Sequence, residues 1–125
     1  MQSVRRIDIS IDMEINRAVD ALAALAQETR LAAFRLLVQA GANGLAAGAI
    51  AERLAVPSST LSFHLKELDR AGLVRSWRVQ RQIRYAADYE GMRRLLTFLT
   101  ADCCNGHPEI CGGLVQAVAA CGCAD

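Results

Sequence analysis

Large apolar residues recur along this chain at two spacings, and the change between them marks its elements. From Glu14 to about Ala26, Ile15, Val19 and Leu22 fall on one helical face. In TRLAAFRLLVQA, Leu31, Phe34, Leu37 and Val38 predict the core stripe of a second helix, which stops at Gly41. Two more helices follow with almost nothing between them. AAGAIAERL is apolar at Ile50 and Leu54, with small Ala51 allowing close helix packing, and Val56 and Pro57 end that run. The next helix carries Leu61, Leu65 and Leu68 at i, i+4 and i+7; Ser58 or Ser59 is expected to cap it, and Gly72 to stop it.

After Gly72 the period drops to two. LVRSWRV and QIRYA, joined near Gln80, predict a short antiparallel hairpin with arginines along it and at its tip. Asp88 then caps a last helix, on which Met92, Leu95, Leu96 and Leu99 form the apolar stripe, and which runs directly into DCC. Residues 1–13 alternate in apolar character without a nearby partner strand and are read as an arm, flexible or docked. The chain therefore divides into this arm, a folded unit over residues 14–101 and a cysteine-bearing segment over residues 102–125. There is no internal repeat or low-complexity tract.

A helix, a tight turn, a second helix and an arginine-bearing hairpin make a mostly α fold with a small β-hairpin wing, a winged helix-turn-helix. The second helix of such a unit fits a major groove, where exposed polar side chains reach base edges while cations neutralise phosphates. Ser59, Thr60, Ser62, His64 and Lys66 are candidates for that contact, and Arg78, Arg81 and Arg84 of the wing for phosphate or a minor groove. Ser58 is read first as a cap and second as a base contact. His64 has two readings, a DNA contact or a buried, hydrogen-bonded ring.

Charge sharpens this picture only when it is divided along the chain. Residues 53–87 hold seven basic groups against two acids, a net +5, so the total of +1 leaves −4 for the remainder. Such an asymmetry suits one polyanion-binding face on an acidic body. No apolar run approaches the ~20 residues of a membrane span, and MQSVRRIDISID lacks the apolar core of a secretion signal, so a cytoplasmic protein is expected. In that reducing compartment, five cysteines in 125 residues point to ligands or redox thiols, not structural disulfides.

LAALAQETRLAAFRLL, AGAIAERLAVPSSTLSFHLKELDRAGLVRS and RQIRYAAD together resemble the ArsR/SmtB family of winged-helix metalloregulatory repressors, over roughly residues 15–101. The resemblance implies a homodimer pairing through the first and last helices. It also implies binding to a palindromic operator duplex and release when a toxic ion binds. One ion site of that family, a CVC motif in the first helix of the helix-turn-helix, is missing here, since AIAERLAV holds no cysteine. A second, Asp and His pairs on the last helix, is missing too, since DYEGMRRLLTFLT holds no histidine.

What remains is Cys103, Cys104 and Cys111 in DCCNGHPEICG. Adjacent helical residues point about 100° apart, so Cys103 and Cys104 can share an ion only if the helix ends there. Asn105-Gly106 and Pro108 favour that ending and a loop returning Cys111 towards the pair. Three soft sulfurs without a clear fourth ligand suit trivalent arsenic, and antimonite should behave alike. The cluster also resembles the arsenite site of an arsenic-responsive branch of the family. Two rival readings use the same cysteines: Cd(II) or Zn(II) with His107 as fourth ligand, and a disulfide from Cys111 to Cys103 or Cys104 on oxidation. For Cys121 and Cys123 of the terminal CGC, an accessory thiol pair and no role both stand. No permanent cofactor is expected. Catalysis is not expected either: there is no C-x-x-C, P-loop or G-x-S-x-G, and the cysteines follow a helix where an activated thiol opens one. A thiol buffer would leave the Ser59–Lys66 helix and the wing unexplained.

Overall fold

The computed structural model describes residues 14–101. Five helices and three short strands run in the order α1 (Ile15–Leu25), α2 (Glu28–Ala40), β1 (Leu45–Ala46), α3 (Ala47–Leu54), α4 (Ser58–Arg70), β2 (Val74–Val79), β3 (Gln82–Ala87) and α5 (Tyr89–Thr100). The sheet is antiparallel, in the order β1-β3-β2, with Val74 opposite Ala87 and Val79 opposite Gln82. The wing thus has a third strand beyond the expected hairpin, Leu45 and Ala46 pairing with Tyr85 and Arg84. Two residues are too few to show a period, and their sequence runs on into a helix.

Leu37, Ile50, Leu61, Leu65, Leu68, Leu73 and Val74 are the largest fully buried side chains, so α2, α3, α4 and the base of the wing share one core. The leucine stripe of α4 lies in that core as expected. Leu31 does not: it is 45% exposed, and α2 buries Ala33, Phe34 and Leu37 instead. On α1 the burial is reversed from what size suggests. Ala18, Ala21 and Ala24 are buried, while Ile15, Val19 and Leu22 face outwards. Small residues let α1 lie close against its neighbours and leave its bulky apolar stripe exposed among the described residues. On α5, Leu95 is buried and Met92 and Phe98 pack against the core, whereas Leu99 is exposed.

Both helices of the helix-turn-helix end in the same backbone motif. At the end of α4, Gly72 N–H donates to the Asp69 carbonyl and Leu73 N–H to that of Leu68, with Gly72 at φ 82° and both leucines buried. At the end of α3, Ala55 N–H donates to Glu52 and Val56 N–H to Ala51, with Ala55 at φ 57°, ψ 44°. That left-handed alanine costs about 1 kcal/mol. It turns the chain at once, so that Pro57 is the N-cap of α4. Ser58 therefore sits inside the helix and its side chain makes no cap bond, a correction to the expected capping role. Asp88 does cap α5, its carboxylate accepting from Gly91 N–H at 3.0 Å. Gly91 must lack a side chain, because a Cβ there would overlap the Gly72 carbonyl.

Candidate nucleic-acid interface

With Leu61, Leu65 and Leu68 turned inwards, a helix advancing about 100° per residue places Ser59, Phe63, Lys66 and Arg70 on the opposite side of α4. Ser58, Ser59, Thr60, Ser62, Phe63 and Lys66 are all exposed, so α4 presents a polar, cationic surface with one aromatic ring in its middle. Lys66 has no hydrogen-bond or ion-pair partner among the described residues. Arg70 has one, the Glu67 carboxylate at 2.6 and 2.7 Å.

His64 is half-buried at the edge of this surface. An Arg30 Nη donates to its Nδ1 at 3.1 Å. A guanidinium has no acceptor, so Nδ1 must offer its lone pair and the neutral ring carries its proton on Nε2. Burial, then the Arg30 charge, hold the His64 pKa below its usual 6.5, against an opposing pull from Glu67. Arg30 Nε donates to the Ala24 carbonyl at 2.7 Å, so one side chain joins the last turn of α1 to the middle of α4. It borders a cleft of about 390 Å³ with Asp20, Glu67 and Arg70. The two readings of His64 are therefore compatible: Nδ1 is held from inside and Nε2–H remains a donor.

The wing separates its arginines. Arg78 and Arg81 are exposed and have no partner among the described residues. Arg84 donates through Nε and Nη to the Asn43 carbonyl at 3.2 and 3.1 Å and through Nη to that of Gly44 at 3.0 Å, fastening β3 to the turn before β1. Arg75 reaches the Ala42 carbonyl at 3.3 Å and lies 4.9 Å from the Trp77 ring centre. Ser76 Oγ donates to Asp69 at 3.1 Å, which ties the wing to the end of α4. On α4 and the wing the cations without a partner among the described residues are therefore Lys66, Arg78 and Arg81, the last two beside Gln80, whose φ of 57° closes the two-residue turn.

Arg30 escaped the sequence reading because its partner lies 34 residues away and no local spacing signals it. Phe63 could have been found from the helical wheel, as the residue opposite the leucine stripe. Cys103, Cys104 and Cys111 lie outside the described residues. Among the described residues no three His, Cys, Asp or Glu side chains come together as a metal site, and no helix is long and apolar enough to cross a membrane.

An exposed polar helix set on a compact core by a tight turn, beside a cationic hairpin, defines a winged helix-turn-helix DNA-binding domain. Residues 25–76 match the helix-turn-helix domain family. The structure is similar to an ArsR-like transcriptional regulator from a Rhodococcus species, at TM-score 0.59 and 28% identity over 84% of this chain and 89% of that one. It is similar to a homodimeric winged helix-turn-helix DNA-binding domain from Mycobacterium bovis, at TM-score 0.57 and 28% identity over 70% of this chain and 81% of that one. It is also similar to HlyU from Vibrio cholerae, at TM-score 0.54 and 33% identity over 70% of this chain and 97% of that one. No curated protein matches the chain significantly. The chain belongs to the ArsR family of winged-helix DNA-binding transcriptional regulators.

Proposed function

We propose that this regulator is a homodimeric repressor that leaves a palindromic operator when trivalent arsenic binds Cys103, Cys104 and Cys111. One observation carries the reading: residues 14–101 contain no cysteine, and all five cysteines follow α5, three of them within nine residues. The DNA-binding fold thus holds no thiolate site of its own, and the soft donors are concentrated where one more segment begins. Three thiolates without a clear fourth ligand favour trivalent arsenic or antimony over zinc.

The outward faces of α1 and α5 support a dimer. Ile15, Val19 and Leu22 with Leu99 leave apolar surface that a second copy would cover, and α1 packs against α5. A two-fold axis there would present two α4 helices to successive major grooves, ~34–36 Å apart. Cys103 follows Thr100, the last residue of α5, by three positions, so at most about 11 Å of chain separates this first thiol from the end of α5.

The test is the fluorescence anisotropy of a labelled operator duplex, with reduced protein bound, as arsenite, cadmium, zinc and a mild oxidant are added separately. Release by arsenite and retention with the other three is the expected result. Cys104→Ser should bind the operator normally and no longer release it with arsenite. Release of that variant at the wild-type arsenite concentration would remove Cys104 from the site.

A further inference from the structure

Phe63 is 57% exposed on α4, the most exposed large apolar side chain among the described residues. It occupies the middle of the face opposite the leucine stripe, one turn from both Ser59 and Lys66. The His64 ring meets it edge to face, with centroids 5.4 Å apart at 62°. Since Arg30 holds His64 in turn, the phenyl ring stands on a supported neighbour. A supported apolar ring amid hydroxyls and a free cation contributes nothing to the core.

We propose that Phe63 is a specificity-determining residue that reads the C5-methyl group of a thymine in each operator half-site. The assignment rests on α4 entering the major groove, the reading given above. A phenyl ring neither donates nor accepts a strong hydrogen bond. Placed against guanine N7 and O6, adenine N6 or cytosine N4, it would strip water from a polar group and return nothing. Thymine alone among the four bases offers a methyl group in the major groove. The surrounding Ser59, Ser62 and Lys66 supply donors for neighbouring acceptors and phosphates, so the ring contributes discrimination at one base pair within a polar contact surface.

The experiment selects duplexes from a randomised pool with the full-length reduced protein, then replaces each half-site thymine by deoxyuridine, which removes only the methyl. Anisotropy competition compares wild type with Phe63→Ala, whose fold is checked by circular dichroism. One symmetric thymine should show about fourfold weaker wild-type binding per half-site on losing its methyl, the effect of one buried methyl-sized group. Phe63→Ala should bind the thymine and uracil duplexes equally, at the wild-type level for uracil. If no thymine is methyl-sensitive, or if Phe63→Ala keeps the same sensitivity, the proposal fails while DNA binding by α4 stands. If no duplex is enriched at all, the groove-binding reading fails and takes this one with it.

Discussion

Arg30→Met keeps the stem of the side chain and removes every donor, which isolates the bridge between α1 and α4. The wild-type guanidinium donates to the Ala24 carbonyl at 2.7 Å and to His64 Nδ1 at 3.1 Å. Hydrogen bonds to a charged group contribute about 1.5–3 kcal/mol each. Ala24 lines the cleft and His64 is only half-buried, so water can replace part of the loss. The sum is then about 2–3 kcal/mol, equivalent to a drop in melting temperature of about 8–12 °C for a domain of this size. Thermal melts must be compared at one protomer concentration, because the proposed dimerisation would contribute to apparent stability. The pH dependence gives a second readout. His64 is held below 6.5 by burial first and Arg30 second, so the unfolded chain binds more protons than the native one just under that pH. Its contribution to stability is present above pH 6.5 and is lost as pH falls through the lowered native value. In Arg30→Met the burial remains and the cation is gone, so imidazole NMR should show His64 titrating at higher pH and the loss should span a narrower interval. A variant that melts with wild type and titrates at the same pH would refute the bridge.

The wing makes a contrast between two arginines. Arg81→Ala should weaken DNA binding across all sequences and reduce the slope of log affinity against log salt by about one, and an unchanged slope removes the wing tip from the interface. Arg84→Ala should instead lower stability by about 1 kcal/mol in a urea melt, since the Asn43 and Gly44 carbonyls lose their donor; a melt coincident with wild type would show that clamp to be dispensable. Val19→Glu places a carboxylate at a residue that is 56% exposed in the single chain. It should leave the circular dichroism spectrum unchanged and shift the protein to monomer in multi-angle light scattering, whereas an intact dimer would move the interface away from α1.

The parts of this fold legible in the sequence are those in which one residue type does one job. Leu61, Leu65 and Leu68 are large and buried, and Asp88 caps where a capping residue should stand. Periodicity leaves more open where size and burial part company. Ile15, Val19 and Leu22 have the spacing of a core stripe, yet α1 turns its alanines inwards, and periodicity alone cannot tell an intramolecular face from an intermolecular one. Leu31 is displaced from the core of α2 by Ala33 for a related reason, since close helix packing selects small residues that hydropathy ranks low. Ser58 lost its capping role to a turn that depends on Ala55 adopting a left-handed conformation, a choice no side chain of the turn announces. The arginines were legible as charge and illegible as contacts: Arg81 and Arg84 look alike until the Asn43 carbonyl is seen to occupy one of them.

These packing details place the outward stripe of α1 and the DNA-facing helix on one connected body. The buried alanines hold α1 against α2 and α4, and Arg30 fastens the Ala24 carbonyl to His64, so a displacement of α1 at the proposed dimer interface has a packed, hydrogen-bonded route to α4. An ion bound just beyond α5, which packs on α1, can therefore change the separation of two α4 helices if the protein has two arrangements and the ion prefers the one that fits the operator worse. Linkage then fixes a quantity in both directions. Whatever factor arsenite takes from operator affinity, the operator must take from arsenite affinity, ordinarily about 5- to 150-fold. Titrating arsenite into the protein alone and into its operator complex measures that factor directly. Equal affinities in the two titrations would mean that the cysteines and α4 are not coupled, whatever else the thiols bind.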